Sequence, residues 1–396
     1  MTFEPTRLGD LGRVITGRTP PAAKREWFGD VFPFITPTDI QGDVRYVQTG
    51  RHLSDAGGAA LGRILLPSKS VCVVCIGNTI GKVCMTDQPS FTNQQINSIV
   101  VDDTQFDPFF VFAAVRLLQE KLRSRASGAA TPIVNKSSFE DIEILVPDYV
   151  TQRRIGGILK AYDDLIDVNF RRMSILAEMA RRVFLDAVES ASEGWSEGVL
   201  GDLAVPDGKT TTPMNYADEI FAHFSLPSFD LNGEPSAENG ASILSNKLEF
   251  KSGSVLVSKL NPRIPRSWLV DRQHSGRMIC STEFVPLRPR DGKSLYVLDQ
   301  VVRTTGFIGH LSAVAAGTST SHQRVKLEDI LGYRMRVPDD DFLERLEGPL
   351  AAFGQLATVL KAQVLRLRAS RDLLLPELVL GRLNPGAGAA LMEDAA

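Results

Sequence analysis

The 396-residue chain has few cysteines and no long apolar run. Four cysteines cannot form a disulfide framework in a chain of this length, so we expect a reducing compartment, the cytoplasm. No apolar run approaches the length of a membrane-spanning helix, which excludes that class of protein. The first residues, MTFEPTRLGDLGRV, lack the apolar core of a secretion signal, so secretion is not expected.

The chain also lacks an excess of either sign of charge. Its 44 basic and 47 acidic residues give a net charge of −3, which excludes a uniformly basic nucleic-acid binder but leaves locally basic surfaces possible. A hydrophobic fraction of 43% and a charged fraction of 23% are typical of a folded globular protein and exclude general disorder. At about 150 residues per domain, the length predicts two to three domains.

The sequence contains an internal repeat. Three short motifs recur in the same order at offsets of 188 to 192 residues, which indicates a tandem duplication. The paired motifs are Leu8–Leu11 with Leu200–Leu203, Glu140–Ile142 with Glu328–Ile330, and Val146–Asp148 with Val337–Asp339.

Each repeat begins with a globular part that is rich in glycine, proline, serine and threonine. Ser70–Ile76 and Ile80–Met85 flank Gly77-Asn78 and predict two strands joined by a turn. Val255–Ser258 and Phe284–Leu287 predict further strands, and Phe109–Arg123 predicts one helix. We therefore expect two mixed α/β (α+β) domains, at 1–150 and 197–340.

Each globular part is followed by a segment with helical heptad spacing, at 151–190 and 341–384, and a disordered tail is expected at 385–396. The second helix should end before Pro376 or fray toward Gly381. Because each helix has an apolar stripe to bury, we expect the two to pair as an antiparallel coiled coil with a pseudo-two-fold axis. The predicted pairing residues are Ile155, Tyr162, Leu165, Asn169, Leu176, Val183, Leu346, Phe353, Leu360 and Leu367.

Three segments carry a resemblance to a known family. TQRRIGGILKAYDDLID at Thr151–Asp167 resembles the conserved helix of type I restriction–modification specificity (S) subunits. TNQQINSIV at Thr92–Val100 and GNTIGKV at Gly77–Val83 are similar to motifs of their target recognition domains. The resemblance covers about residues 8–382, although the second repeat has Ser281-Thr282-Glu283-Phe284 in place of the Asn-Gln motif and a degraded helix signature at Leu343–Leu346.

The resemblance implies a non-catalytic subunit that confers DNA sequence specificity. Each recognition domain would read one half of a bipartite asymmetric site in double-stranded DNA, and the helices would set the spacer. The helices would also dock methyltransferase (M) subunits, expected to number two, and a restriction/translocase (R) subunit would join them. The chain itself would bind no cofactor, whereas the partner subunits would use S-adenosylmethionine, ATP and magnesium.

The residues themselves do not favour catalysis or metal binding. GNTIGKV is one residue too short for a phosphate loop and has Val83 where Ser or Thr must bind magnesium. Cys72 and Cys75 form a CxxC, but strand alternation would point them to opposite faces, and the five histidines lack ligand spacing. Lys259–Arg263 contains only part of an amino-methyltransferase motif. We therefore predict no catalytic and no metal-binding residues.

Basic residues outnumber acidic ones in Arg116–Lys136 and Lys251–Arg277, which could neutralise phosphates or form solvated faces. Arg can pair with guanine, and Asn or Gln with adenine, so polar loops are candidates for base recognition. Asn93 and Gln94 could instead hold loops together, and His322 could be a solvated loop residue. The predicted DNA-binding residues are Thr16, Arg18, Lys24, Asn78, Lys82, Arg123, Arg125, Thr131, Lys136, Lys209, Lys259, Arg263, Arg266, Thr320, His322 and Arg324. The alternative function is a coiled-coil structural adaptor that recruits proteins rather than DNA.

Overall fold

A computed structural model describes residues 2–42, 44–125, 132–190, 195–231, 233–290, 292, 294–315 and 323–386. The chain forms two compact units. Unit 1 contains Met1–Phe170 and Ala362–Ala396, and unit 2 contains Arg171–Lys361. Both boundaries between the units fall inside long helices. Of the predicted tail, residues 387–396 lie outside the described residues.

Unit 1 is built around a four-stranded sheet with the order β2-β9-β6-β7, beside a second sheet β3-β5-β4-β8 and the pair β1-β10. Its strands are β1 (Glu4–Arg7), β2 (Gly12–Thr16), β3 (Phe28–Gly29), β4 (Phe32–Ile35), β5 (His52–Leu53), β6 (Val71–Val74), β7 (Val83–Met85), β8 (Phe91–Thr92), β9 (Ile96–Val101) and β10 (Glu143–Val146). Its helices are α1 (Asp55–Leu61), α2 (Pro108–Arg116), α3 (Gln119–Arg125), α4 (Lys136–Glu140) and the first half of α5 (Tyr149–Ser190).

The hairpin β6–β7 is confirmed, and its turn shows why glycine is needed there. Gly77 and Gly81 have φ angles of 94° and 86°, in the left-handed region that side chains with a Cβ rarely adopt. β6 is buried on both faces, because Val73 packs into one core cluster, together with Cys75 just after the strand, and Cys72 packs into another. The CxxC therefore points its two thiols to opposite sides of the sheet.

The prediction of one continuous helix over Phe109–Arg123 was wrong, because this segment forms two helices. α2 ends at Arg116 and α3 begins at Gln119, so the chain bends between them. The bend leaves both Leu118 and Leu122 buried in the core of unit 1, at 8% and 0% exposure. Burial of the apolar side chains thus decides the path of the chain more strongly than helix propensity.

Unit 2 repeats the central sheet of unit 1 with the order β12-β20-β17-β18, beside the five-stranded sheet β13-β16-β19-β14-β15 and the pair β11-β21. Its strands are β11 (Ser196–Val199), β12 (Ala204–Pro206), β13 (Lys209–Thr211), β14 (Ile220–Phe224), β15 (Ser236–Asn239), β16 (Lys247–Glu249), β17 (Ser254–Ser258), β18 (Ser267–Val270), β19 (Arg277–Cys280), β20 (Phe284–Pro289) and β21 (Arg334–Val337). The helices that start in this unit are α6 (Leu200–Leu203), α7 (Leu226–Leu231), α8 (Leu295–Val301), α9 (Thr305–Val314), α10 (Leu327–Leu331) and α11 (Asp340–Val379).

The repeated motifs occupy equivalent places in the two units. The LGDL motif of each unit docks just before the strand that precedes the long helix: Leu8 N donates to Ile142 O at 2.8 Å, and Leu200 N donates to Tyr333 O at 2.9 Å. Each Val-Pro-Asp motif ends a strand and caps the next helix. The carboxylate of Asp148 accepts from Thr151 N at 3.0 Å, and that of Asp339 accepts from Phe342 N at 2.8 Å.

The long helices α5 and α11 have 42 and 40 residues. In unit 1 they run antiparallel, since Asp163 pairs with Arg371 and Asn169 Nδ2 donates to Gln363 Oε1 at 3.4 Å. In unit 2 the end of α5 shares a core cluster with the beginning of α11. α11 continues past Pro376 to Val379, so an end before Pro376 was wrong.

The predicted pairing residues are only partly buried. Leu165 and Val183 are 48% and 36% exposed, so their assignment to the helix seam was wrong, and Ile166 and Phe184 are buried in their place. The buried stripe follows the helical period of about 3.6 residues per turn instead of a strict heptad. The remaining predicted residues are buried or half-buried, namely Ile155, Tyr162, Asn169, Leu176, Leu346, Phe353, Leu360 and Leu367.

A buried ion cluster anchors the globular part of unit 1 to both helices. Arg371 Nη1 lies 2.6 Å from Asp163 Oδ1, and their side chains are 2% and 8% exposed. Arg116 of α2 lies 4.0 Å from the other oxygen of Asp163. Arg45, whose side chain is 4% exposed, reaches Asp164 of α5 at 2.5 Å. The cluster links α2, α5, α11 and the loop after β4.

Candidate nucleic-acid interface

Four of the loops predicted to contact DNA meet at one edge of the central sheet of unit 1. They are residues 16–19, 75–79, 92–97 and 132–134, which we call loop face 1. Thr16 Oγ1 donates to Asn97 Oδ1 at 2.7 Å, and Arg18 N donates to Thr92 O at 2.9 Å. Three backbone bonds join the other segments: Cys75 N to Gln95 O (2.8 Å), Gly77 N to Pro132 O (3.0 Å) and Val134 N to Cys75 O (2.8 Å).

The amide side chains of loop face 1 mostly hold the loops together. Asn93 and Asn97 are 8% and 3% exposed, and Asn93 Nδ2 donates to Gln95 Oε1 at 2.8 Å. Gln94 is exposed and accepts from Thr19 Oγ1 at 2.5 Å. Asn93 therefore has the loop-holding role that the sequence left open. Burial also raises the pKa of the Cys75 thiol to about 11, although hydrogen bonds from Asn97 act in the opposite direction.

The cationic side chains predicted to bind DNA in unit 1 differ in their exposure and in their partners within the chain. Arg18 is exposed on loop face 1, as is the amide of Asn78. Lys82 is half-buried, and its ammonium donates to Ile40 O at 2.7 Å. The others form exposed pairs with carboxylates: Lys24 with Glu26 (3.6 Å), Arg123 with Glu120 (3.2 Å) and Lys136 with Glu140 (3.5 Å). Thr131 and the side chain of Arg125 lie outside the described residues.

Unit 2 brings together the equivalent loops at its own central sheet. Residues 259–266, 281–283 and 323–325 form loop face 2. Three backbone bonds join them: Lys259 N to Glu283 O (2.7 Å), Asn261 N to Gln323 O (2.8 Å) and Val325 N to Lys259 O (3.0 Å). These bonds correspond one by one to the three backbone bonds of loop face 1. The two faces are therefore built on the same backbone pattern.

Two predicted arginines of loop face 2 are held by carboxylates. Arg266 Nε and Nη2 donate to Asp230 at 2.7 and 2.8 Å, and its side chain is only 14% exposed. Arg324 Nε and Nη2 donate to Glu283 at 3.0 and 2.8 Å, but its side chain is 56% exposed. The hydrogen bonds from Arg324 to Glu283 raise the pKa of Arg324. Arg324 thus presents charge at the surface, whereas Arg266 mainly stabilises the loop.

The remaining predicted DNA-binding residues of unit 2 differ in their exposure and in the surface on which they lie. Arg263 is exposed on loop face 2, and Lys259 is half-buried beside it. Lys209 lies on β13, where it is the register partner of Glu249 in the five-stranded sheet, and so it belongs to a different surface. Thr320 and His322 lie outside the described residues.

Two residues of the loop faces, Ile133 and Glu283, were not predicted from the sequence. An isolated antiparallel bridge pairs Ile76 with Ile133 in unit 1, and the equivalent bridge pairs Leu260 with Arg324 in unit 2. Ile133 is an exposed apolar residue, with 52% of its surface accessible. Glu283 was noted only as a departure from the Asn-Gln motif. Neither residue carries a local signal, because their roles follow from pairing between distant segments.

The described residues show neither a metal site nor a membrane helix. They contain no group of three or more His, Cys, Asp and Glu side chains able to hold a metal ion. Within the same part of the chain, no helix is both long and apolar enough to span a bilayer.

Comparison with known proteins finds similarity to one family. Residues 1–174 match the family described as type I restriction modification DNA specificity domain. The chain is 40% identical over 164 residues to the HindI specificity subunit of a type I restriction enzyme from Haemophilus influenzae, a match that covers 40% of this chain and 36% of that protein. It is 22% identical over 411 residues to the MjaIX specificity subunit from Methanocaldococcus jannaschii, covering 96% and 93% of the two chains.

A solved structure shows the same fold. The crystal structure of the type I restriction–modification S subunit from M. genitalium superposes with a TM-score of 0.59 at 13% identity and covers 96% of both chains. The duplicated architecture of domain and helix is consistent with the match of the first repeat and with the relative that aligns along nearly the whole chain. The first 174 residues thus match a type I restriction modification DNA specificity domain, and the chain is similar along nearly its whole length to a specificity subunit of a type I restriction enzyme.

Proposed function

We propose that this chain selects the DNA sequence on which a type I restriction–modification complex acts. Loop face 1 and loop face 2 each read one half of a bipartite site, and α5 and α11 set the unread spacer between the halves. The chain itself catalyses no step. The single observation that carries the proposal is that two faces with the same backbone pattern present different side chains, such as Ile133 and Arg324.

That combination suits sequence recognition. A shared backbone holds each face in the same form, while different side chains select different base pairs. The exposed arginines, Arg18 on loop face 1 and Arg263 on loop face 2, supply the positive charge that phosphates require. Because the two faces differ, the site read by the chain is asymmetric.

The partners follow from the same proposal. Two methyltransferase subunits dock on the paired helices, a restriction/translocase subunit completes the complex, and the complex acts in the cytoplasm. S-adenosylmethionine, ATP and magnesium belong to those partner subunits.

Binding of the full chain, assembled with its methyltransferase, to a randomised duplex library tests the proposal. We expect enrichment of one asymmetric, bipartite sequence. Arg18→Ala and Arg263→Ala should each weaken binding and reduce the salt slope by about one unit for each lost phosphate contact. Arg7→Ala is the control, because Arg7 is exposed, pairs with Asp10 and lies on neither loop face.

Two outcomes would contradict the proposal. If no sequence is enriched and the salt slope is flat, the chain does not select DNA, and the alternative of a protein-recruiting adaptor gains support. If the enriched site is palindromic, the two faces do not read different half-sites.

A further inference from the structure

The isolated bridge on each loop face places one side chain at an equivalent, exposed position. In unit 1 this residue is Ile133, and in unit 2 it is Arg324. Their side chains differ in every property that a base edge can detect, namely charge, hydrogen-bond donors and apolar surface. The position therefore varies while its backbone setting is retained, as expected of a residue that determines specificity.

The geometry of Arg324 leaves one edge of its guanidinium available. Nε and Nη2 are engaged by the two oxygens of Glu283 at 3.0 and 2.8 Å. A guanidinium has five N–H donors, so the Nη1/Nη2 edge still offers two. Two roughly parallel donors are what the O6 and N7 acceptors of guanine require in the major groove.

The surroundings of Arg324 hold this edge in place. The backbone of the adjoining residues is fixed by bonds from Asn261 N to Gln323 O and from Val325 N to Lys259 O. Glu283 is fixed in turn, because its carbonyl accepts from Lys259 N at 2.7 Å. Ordering the long side chain before binding reduces the entropy lost when the contact forms.

Unit 1 provides an internal comparison. Gln95 occupies the place of Glu283, since its carbonyl accepts from Cys75 N, but its side chain is engaged by Asn93. Ile133 has no donor, so the specific contact open to it is an apolar one with the methyl group of thymine.

We propose that the bridge position determines one base pair of each half-site: Arg324, with Glu283 as its positioning residue, selects guanine, and Ile133 selects thymine. This inference rests on the proposed function and assigns base classes to its two faces. Glu283 acts only through Arg324 and touches no base itself.

The test compares enriched sequences from a randomised duplex library for the full chain and its variants, each assembled with the methyltransferase. Arg324→Ala should lower the preference for G·C at one position of one half-site by roughly 5- to 150-fold and leave the other positions unchanged. Glu283→Gln should relax the same position although it makes the chain more positive, which separates positioning from charge. Ile133→Arg should remove the preference for thymine at one position of the other half-site.

Matched controls come from a second exposed bidentate pair. Arg7 and Asp10 are linked at 3.1 and 3.3 Å on neither loop face. Arg7→Ala and Asp10→Asn should leave every position of the enriched sequence unchanged. Thermal unfolding of each variant identifies any that fail to fold, and Glu283→Gln, which keeps the size of the side chain, then still tests the inference.

The outcomes separate the inference from the proposed function. A chain that enriches no sequence refutes both. If the unaltered chain enriches a bipartite site but Arg324→Ala weakens all sequences equally, Arg324 binds phosphate, and the inference is overturned while the proposed function stands. A Glu283→Gln variant with unchanged base preference would remove Glu283 from its positioning role.

Discussion

Replacing Arg371 by methionine should destabilise unit 1, because it removes the buried partner of Asp163. The two side chains are 2% and 8% exposed, and Nη1 of Arg371 lies 2.6 Å from Oδ1 of Asp163. Removing one member of a buried pair leaves the other charge without compensation and costs about 3–5 kcal/mol. Arg116 remains 4.0 Å from Oδ2, so the lower end, about 3 kcal/mol, is expected.

A calorimetric melt measures this loss. For a folded unit of this size, about 3 kcal/mol corresponds to a fall in Tm of roughly 6–12 °C. Hydrogen exchange of α5 and α11 peptides should show the change around Asp163. The double variant with Asp163→Asn should recover at least about 1 kcal/mol relative to Arg371→Met, because no buried carboxylate is left without its arginine partner.

The pH dependence of the loss follows from the pKa of Asp163. Burial raises that pKa to about 6, while Arg116 and Arg45 act in the opposite direction. A carboxyl group with a raised pKa in the folded state binds its proton more tightly than in the unfolded chain, so its contribution to stability increases as pH falls through about 6 toward 4. Without Arg371 the pKa should rise further, and the stability deficit should be smaller at pH 5 than at pH 7.5.

Two results would refute this reasoning. A loss well below about 1 kcal/mol for Arg371→Met would show that the ion pair contributes little beyond its packing. A deficit equal at both pH values would show that the charge of Asp163 is not the cause. Asp163→Asn itself should remove the pH dependence.

Three further predictions concern packing. Ile166→Ala should lower the free energy of unfolding by about 2–5 kcal/mol, whereas Leu165→Ala, at a position that is 48% exposed, should change it by only about 0.5 kcal/mol. If Leu165→Ala were the more destabilising of the two, the assignment of Leu165 to the helix seam by strict heptad spacing would be correct. Asn169→Leu should leave Tm unchanged or raise it, because a polar residue in a helix seam reduces stability, and a large fall would mean that its bond to Gln363 is essential. Gly17→Ala would place a Cβ 2.3 Å from backbone oxygens of loop face 1, so it should cost about 1–3 kcal/mol and weaken DNA binding by distorting that face; unchanged binding would remove loop face 1 from the interface.

Local signals explain the features that could be predicted from the sequence. The Val-Pro-Asp motif predicts the end of a strand and the start of a long helix, because Asp148 and Asp339 cap the following helix by short-range hydrogen bonds. The turn at Gly77 is equally local, since it depends on a backbone angle that glycine tolerates. The duplication could be detected without a structure, because it requires only a comparison of the sequence with itself.

The helix seam could be predicted only in outline. An apolar stripe indicates that a face is buried, but which residues of the stripe are covered depends on the partner helix and the globular part packed against it. For this reason Ile166 is buried while its neighbour Leu165 is exposed. The ion cluster around Asp163 was missed because its members, Arg45, Arg116 and Arg371, are far apart in the sequence.

The two loop faces show the same division between local and long-range causes. The sequence alone determined the repeat, the alternation of globular parts and helices, the resemblance to a family and most of the loops that carry polar side chains, since each of these is encoded in short contiguous segments. Only the tertiary structure decided which loops meet and which arginines remain available. Arg266 is held by Asp230 and Arg324 by Glu283, partners that lie 36 and 41 residues away. Such pairings depend on how the central sheet aligns distant strands, and that alignment results from packing of the whole core, which no local segment specifies.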